Sequence, residues 1–202
     1  MVQHVQNQLV TGGLWLGVAS PVLYAAAQLL AAPLYPGYDW TLQLASELGS
    51  VGTTSSDVFN PAITLSGFAM LASAIGFKLG LQRVSQWRLV PWLVAASLVS
   101  GGSASVWAGL HPLPDPAHNP GYWGIGTVAF PLLLTMALWQ SAISRVTRIY
   151  LASNAIAILT FLLFSFDLTS NDPSHGIVQR IGALLVYAPV AFGAITLLRM
   201  ER

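Results

Sequence analysis

The sequence predicts an all-α, polytopic membrane protein, a bundle of six transmembrane helices that takes up residues 1–202 as a single domain. Hydrophobic residues make up 54% of the chain and charged residues only 7%, against roughly 25% charged residues in a soluble domain. Six apolar runs approach the length of about 20 residues that a helix needs to cross the hydrocarbon. They cover residues 9–32, 59–80, 88–110, 121–144, 147–166 and 177–199. These runs are continuous and lack the two-residue alternation of a membrane β-barrel, so the sequence favours helices.

The first run resembles a signal peptide, because the Ala-Ala-Ala stretch at 25–27 is similar to a cleavage site. However, residues 1–8 contain no Lys or Arg, and signal peptides carry basic residues there. We therefore expect the run to be retained as helix one. Pro21, Pro131 and Pro189 lie near the centres of helices one, four and six, where a missing N–H should kink the axis. Such kinks either frame a path for a cargo molecule, as in transporters, or are irregularities of packing.

Charged residues separate by sign between alternate loops. Of the 8 Lys and Arg residues, all but Arg180 lie where helix two meets helix three, where helix four meets helix five, or at the end of helix six. Of the 7 acidic residues, all but Glu201 lie in the other loops, 33–58, 111–120 and 167–176. Because Lys and Arg favour the cytoplasmic side, we expect both termini in the cytoplasm and these three loops outside the cell's inner (plasma) membrane.

Composition excludes some classes of function. The net charge is +1 and the chain has no run of basic residues, so nucleic acid is excluded as a partner. The chain has no cysteine, which removes disulfides, thiol nucleophiles and thiolate metal sites. Any chemistry must therefore use carboxylates, imidazoles, hydroxyls and guanidinium groups.

The first outer loop contains a stretch that is typical of a short helix. Asp39 would be its N-cap and Gly49 would follow its end, with Trp40, Leu44 and Leu48 on one face. Aromatic residues beside it favour the headgroup zone of the membrane. The segment is therefore either an interfacial anchor or a lid over the bundle.

The second outer loop is rich in proline, at positions 112, 114, 116 and 120, which prevents a helix there. We expect an extended segment in which Asp115 and His118 lie about 9 Å apart, too far to share one ion. A divalent metal such as zinc would need a bend or ligands from the third outer loop, and its candidate ligands are His111, Asp115, His118 and His175. No HExxH motif is present, so each histidine either binds a metal or makes local hydrogen bonds. Haem is disfavoured, because transmembrane haem ligands normally lie within helices.

Arg180 lies about one turn inside the outward end of helix six, where an unpaired guanidinium would be costly. Its expected partners are Glu47 or Asp167, with Asp172 as a further candidate. Either the pair locks helix six to a loop, or the guanidinium binds a lipid phosphate or a substrate carboxylate. Asn60, at the outer start of helix two, is assigned to the same outer site.

The polar positions of the outer side also carry a resemblance to a known family. They are Ser46-Glu47-Leu48-Gly49 before helix two, Asn60 and Gly67 in that helix, Pro112 and His118 in the proline-rich loop, and Gln179-Arg180 at the start of helix six. In these motifs the chain resembles, over most of its length, the bacterial membrane protein family called domain of unknown function 998, although Ala45 stands where that family tends to have Ile. The resemblance implies no activity, but it implies that the family's characteristic polar positions are Ser46, Glu47, Asn60, His118 and Arg180. A remoter likeness in topology to small lipid-handling membrane proteins favours a lipid as the ligand.

These observations predict an outward-facing pocket that binds a lipid or amphiphile and that could hydrolyse or modify it. The predicted catalytic residues are His118, His175, Glu47 and Asp167, with His118 or His175 as the general base for water, with or without a metal. The predicted substrate-binding residues are Arg180, Asn60, Ser46 and Trp40. Two alternatives stay open: a non-enzymatic carrier or binding protein for a small amphiphile, and a structural membrane subunit. Membrane lipids are the expected partners in each case.

Overall fold

The computed structural model describes residues 2–119, 121–165 and 175–201, and this part of the chain is helical without strands. Its α-helices are α1 (Val2–Ala31), α2 (Ser56–Val84), α3 (Val90–Leu110), α4 (Phe130–Leu138), α5 (Arg145–Ser165) and α6 (His175–Met200). Short 3₁₀ helices cover Ala32–Leu34, Ala45–Gly49, Pro116–His118 and Gly121–Ala129. The predicted all-α class with six helices is confirmed.

Among the residues that the structure describes, five helices are long and apolar enough to cross a membrane. They lie within Gln3–Leu34, Ser56–Val84, Val90–Leu110, Arg145–Leu163 and His175–Met200. A sixth apolar helical stretch, Gly124–Leu138, is shorter. Hydrocarbon offers no hydrogen-bond partners to the backbone, so such segments must be helical to satisfy their own N–H and C=O groups. The chain is a multi-pass helical membrane protein.

The fourth apolar run differs from the single helix predicted over 121–144. It is a 3₁₀ helix over Gly121–Ala129 followed by an α-helix over Phe130–Leu138. Pro131 was expected near the centre of helix four, but it occupies the first turn of α4, where its missing N–H costs nothing. Glycine is a poor helix former, and Gly126 lies so close to Ser100 that a Cβ there would be 2.7 Å from the Ser100 Oγ. This stretch therefore packs closely on α3 as a 3₁₀ helix and does not form a regular α-helix.

The bundle is built around α2, which packs on α1 along one side and on α3 along the other. Two pairs of glycines allow these backbones to approach closely. A Cβ on Gly13 would lie 2.7 Å from the Gly76 backbone nitrogen, and a Cβ on Gly67 would lie 2.7 Å from the Gly102 carbonyl oxygen. In a membrane, where water does not drive helices together, such close van der Waals contact holds helices to each other.

The two ends of the bundle differ in what they carry. We call one end the base, where α2 and α6 end and where Arg83 binds the Glu201 carboxylate and donates to the Asn7 side-chain oxygen at 2.9 Å. At the other end lie the 32–55 and 111–119 loops and the start of α6. The Val51 N–H donates to the Leu113 carbonyl at 2.8 Å, and the Ile177 N–H donates to the Thr41 carbonyl at 3.0 Å. We call this end the mouth, and it contains the described parts of all three loops that were predicted to lie on one side.

Candidate functional site

The 39–49 segment of the mouth is not the continuous helix that the sequence predicted. Asp39 does cap a turn, since its Oδ1 accepts from the Thr41 N–H at 2.7 Å and from the Leu42 N–H at 3.1 Å. A hydrogen bond from the Thr41 hydroxyl, together with these two backbone bonds, lowers the pKa of the Asp39 carboxyl. The chain then opens and forms the separate 3₁₀ helix Ala45–Gly49. Gly49 is the last residue of that helix rather than the residue after it.

The Glu47 carboxylate caps the N-terminal end of this 3₁₀ helix. Its Oε1 accepts from the Leu44 N–H at 2.8 Å, and its Oε2 accepts from the Gln43 side-chain amide at 2.9 Å. A carboxylate at a helix N-terminus satisfies N–H groups that have no partner within the helix. Glu47 therefore does not form the expected ion pair with Arg180, and the alternative partners Asp167 and Asp172 lie outside the described residues.

Arg180 instead holds the 38–43 loop through neutral oxygens. Its Nη1 donates to the carbonyls of Trp40 at 2.8 Å, Gln43 at 2.9 Å and Gly176 at 2.8 Å, and its Nη2 donates to the Tyr38 hydroxyl. The guanidinium also lies 4.9 Å from the centre of the Trp40 ring, a cation–π contact. Burial raises the pKa of Tyr38, although the charge of Arg180 opposes that shift.

Two amide side chains hold the 3₁₀ helix Ala45–Gly49 at its ends. The Ala45 N–H donates to the Gln179 side-chain oxygen at 2.7 Å, and the Asn60 side-chain amide donates to the Gly49 carbonyl at 2.9 Å. Gln179 belongs to α6 and Asn60 to α2, so the helix is held from both sides of the bundle. The Ser46-Glu47-Leu48-Gly49 stretch is thus a fixed part of the mouth.

The 111–119 loop is bent rather than extended as predicted. The Asp115 N–H donates to the Pro112 carbonyl at 2.9 Å, and Asp115 then caps the 3₁₀ helix Pro116–His118. The Ala117 N–H, followed by the His111 imidazole, lowers the pKa of the Asp115 carboxyl. The bend also places the His118 Nδ1 at 2.6 Å from the His111 carbonyl. Because a carbonyl only accepts hydrogen bonds, Nδ1 carries the proton, and in the neutral ring Nε2 keeps a lone pair.

The predicted metal ligands are only partly brought together. His111 Nδ1 and Asp115 Oδ2 lie 3.0 Å apart and bind each other, and His175 is the first residue of α6. Within 2–119, 121–165 and 175–201, no group of three or more His, Asp or Glu residues is arranged to hold a metal ion. The divalent metal predicted from the sequence stays a prediction.

Below the mouth lies a cavity of about 520 Å³ between α1, α2, α3, α6 and the Gly121–Ala129 3₁₀ helix. We call it the bundle cavity. Polar side chains line it at the mouth, and apolar side chains with Gly101 and Thr127 line it further in. The mouth residues are Ser46, His118, Asn119 and Gln179. The cavity thus combines a mostly apolar wall with a polar entrance.

A second polar feature, which was not predicted from the sequence, lies in the wall of the bundle cavity. The hydroxyls of Ser105 and Tyr187 lie 3.0 Å apart, and the Tyr187 ring stacks on the Tyr24 ring with centroids 4.3 Å apart. Between α1 and α2, the Ser66 hydroxyl donates to the Ser20 carbonyl at 2.8 Å. Hydroxyl residues in the middle of apolar runs could have indicated this feature, because hydroxyls in hydrocarbon need hydrogen-bond partners.

The predicted site residues therefore fall into four groups. Ser46 and His118 line the bundle cavity, whereas Glu47 and Asn60 hold the Ala45–Gly49 helix. Trp40 and Arg180 contact each other beside a different cavity, between α1 and α6. Among the remaining predicted residues, His111 and Asp115 form a pair, His175 begins α6, and Asp167 lies outside the described residues.

Comparison with known proteins gives one match to a family. The model of the family described as "Protein of unknown function (DUF998)" matches residues 18–196. No curated protein and no solved structure matches this chain. The matched range includes both cavities and every predicted site residue.

Proposed function

The chain belongs to the DUF998 family, and we propose that it binds a membrane amphiphile in the bundle cavity, with the tail among the helices and the polar head at the mouth. The observation that carries this proposal is the cavity of about 520 Å³ with apolar walls and a polar entrance. Sites for small molecules typically have roughly 300–1,000 Å³, apolar walls and a few placed polar groups. A ligand that is apolar at one end and polar at the other fits this distribution.

The polar head has suitable partners at the entrance. Ser46 offers a hydroxyl, and the His118 ring offers a lone pair on Nε2 when it is neutral. The loop segment that carries Ser46 is held by α2 and α6, so its position is set before a ligand arrives. Preorganised partners reduce the ordering cost of binding.

We further propose that the mouth faces the outside of the plasma membrane. The base carries Arg83, and Arg145 and Arg148 lie at the same end, in the first turn of α5. Basic residues favour the cytoplasmic side. The mouth carries Asp39, Glu47 and Asp115 instead. With this orientation the ligand's polar head meets the extracytoplasmic surface.

Hydrolysis of the bound amphiphile is a second candidate function, and the His118 tautomer favours it. Donation from Nδ1 to the His111 carbonyl orients the ring and leaves Nε2 as a base, as a general base for water requires. Of the predicted catalytic residues, Glu47 is already engaged by N–H groups. We therefore assign the base to His118.

Binding is tested by blocking the bundle cavity. Ala108 lines it, whereas Ala96 of the same helix is exposed on the surface of the bundle. We expect the purified wild type to retain amphiphiles that are detected by mass spectrometry of the extracted protein. Ala108→Trp should lose them at least about tenfold, as tight filling of the cavity excludes a ligand, while Ala96→Trp keeps them. Equal retention by the two folded variants would refute the proposal.

Hydrolysis is tested separately with lipid vesicles. Ester-linked lipids should be turned over by the wild type and by His4→Ala, an exposed histidine near the start of α1. His118→Ala should slow turnover by roughly 10²-fold or more, the usual contribution of a general base. Binding without turnover in the wild type would leave a carrier or binding protein and exclude the hydrolase.

A further inference from the structure

A second cavity lies outside the bundle cavity, in the lateral groove between α1 and α6. We call it the α1–α6 groove. It has a volume of about 570 Å³ and almost wholly apolar walls. Pro21, Ala188 and Ala191 lie along it, and Gln28, Trp40 and Arg180 lie at its mouth end. The helices on both sides bear exposed apolar residues, including Val22 at 60% and Leu184 at 65% exposure, so the groove opens toward the lipid.

Two polar atoms at the mouth end of this groove are buried without a partner in the part of the chain that the structure describes. They are Oε1 of Gln28, a residue that is 7% exposed, and Nε of Arg180. A buried polar group that forms no hydrogen bond is costly. Gln28 lines the groove, and a bound molecule there could supply the missing partner.

The free groups define the chemistry of that molecule. Nη1 of Arg180 is occupied by three carbonyls, and one N–H of Nη2 by the Tyr38 hydroxyl. This leaves the edge formed by the Nε–H and the second N–H of Nη2. This edge binds a phosphate or carboxylate through two parallel hydrogen bonds. Gln28 Oε1 is an acceptor and needs a donor such as a hydroxyl. The apolar walls of the groove favour an apolar chain as the part of the ligand that fills it.

We infer that the α1–α6 groove binds an anionic phospholipid with a hydroxylated headgroup, such as phosphatidylglycerol. Its phosphate binds the Nε edge of Arg180, its headgroup hydroxyl donates to Gln28, and one acyl chain lies along Pro21, Ala188 and Ala191. Trp40, which is 40% exposed and lies over the guanidinium, moves aside to admit the phosphate. The site goes beyond the proposed function, because it lies on the lipid-facing side of the bundle.

The stacked rings of Tyr24 and Tyr187 separate the two cavities. Both residues, with Ala183, line the bundle cavity as well as the α1–α6 groove. Each cavity nevertheless has residues of its own, so the two can be blocked one at a time. Ala191 belongs to the groove and Ala108 to the bundle cavity.

The experiment uses full-length protein in phosphatidylcholine vesicles that contain a small fraction of phosphatidylglycerol with a photoreactive group on its acyl chain. After irradiation, labelled peptides are identified and quantified by mass spectrometry. We expect label on α1 and α6 beside the groove. Ala191→Trp and Gln28→Leu should each reduce that label at least about fivefold, whereas Ala108→Trp and Ala96→Trp should leave it unchanged.

Gln28→Leu is informative because it removes an unpartnered polar atom at nearly constant volume. The variant should fold at least as well as the wild type, and its loss of label therefore reports the lost lipid contact. An excess of unlabelled phosphatidylglycerol should compete for the groove, whereas phosphatidylcholine and free glycerol phosphate should not. Equal labelling in Gln28→Leu, equal competition by phosphatidylcholine, or competition by a fatty acid alone would overturn the inference. Loss of amphiphile only in Ala108→Trp concerns the bundle cavity and leaves the groove site untouched.

Discussion

The mouth and the base of the bundle use charged residues in different ways. At the mouth, Arg180 and Glu47 bind backbone carbonyl and N–H groups of the loops. At the base, Arg83 binds another charged side chain, Glu201, and both are partly exposed, with side-chain exposures of 29% and 22%. A charge that binds the backbone fixes the path of a loop, whereas an exposed ion pair contributes little to stability. Charged side chains therefore fix the loops of the mouth, whereas the base is held mainly by the apolar core.

The sharpest test of this comparison replaces one arginine at each end. Arg180→Met leaves the carbonyls of Trp40 and Gln43 without their donor and removes the cation–π contact with Trp40. We expect the free energy of unfolding in detergent to fall by about 3 kcal/mol, as for hydrogen bonds to a charged group.

The matched variant at the base is Arg83→Met. We expect the free energy of unfolding in detergent to change by less than about 1 kcal/mol, as for other exposed ion pairs. Equal losses in the two variants would show that the ends do not differ in this respect.

Glycine provides the next comparison. A Cβ on Gly49 would lie 2.1 Å from the Asn60 side-chain oxygen and 2.9 Å from a ring carbon of Phe59, which is 5% exposed. Asn60 is held in place by the Gly49 carbonyl and cannot simply turn away. We therefore expect Gly49→Ala to lower the free energy of unfolding by about 2 kcal/mol through overpacking.

Gly12 near the base is the control for that substitution, since a Cβ there meets nothing within 4 Å. It lies inside α1, where Ala is favoured over Gly by about 1 kcal/mol. Gly12→Ala should thus raise the melting temperature while Gly49→Ala lowers it. A rise in both would mean that the mouth accommodates the extra methyl group.

Asn60 at the mouth and Asn7 at the base form a third pair for comparison. Asn60→Leu removes the bond to the Gly49 carbonyl, and we expect a loss of about 1 kcal/mol, with faster proteolysis of the 45–55 segment. Asn7→Leu removes an exposed acceptor of Arg83 at the base and should change stability by less than about 0.5 kcal/mol. The comparison fails if the segment in Asn60→Leu resists protease as well as that in the wild type.

The smallest expected effect is a response of the mouth to acid. The folded pKa values of Asp39 and Asp115 lie below their ordinary value of 3.8, because N–H groups bind their charged forms. Their contribution to stability is therefore present above pH 3.8 and is lost as the pH falls through the lowered values. Melting temperatures measured across this range should fall less in the Asp39→Asn, Asp115→Asn double variant than in the wild type. An equal fall in the double variant and the wild type would contradict this prediction.

The residues matched by the family model can be compared with the residues that line the two cavities. The matched range, 18–196, omits the first turns of α1 and the end of α6, which form the base together with Arg83. The mouth, the bundle cavity and the α1–α6 groove all lie within the range. The cavities where we propose that amphiphiles bind therefore lie within the region that the chain shares with its family, as does Arg83 of the base.

The sequence by itself determined the membrane class, the number of helices and the side of the bundle on which the described polar loops meet. It could do so because hydrocarbon requires long apolar helices, a constraint that is visible residue by residue. The tertiary structure decided the partners of the polar groups. Glu47 was expected to bind Arg180, yet it caps the Ala45–Gly49 helix, and Arg180 binds carbonyls. The 111–119 loop bends because Asp115 captures the Ala117 N–H.

The roles of Gln28, Tyr24 and Tyr187 likewise depended on tertiary structure. Within their apolar runs these residues show no pattern, and only the packing of α1 against α6 brings them to the two cavities. A hydrogen bond is formed between particular atoms at about 3 Å, so its partners follow from the folded backbone and not from composition or hydropathy. The hydropathy of the sequence therefore determined the helical architecture, because that architecture has to suit a membrane. The distances between atoms in the folded chain determined the polar contacts of the site.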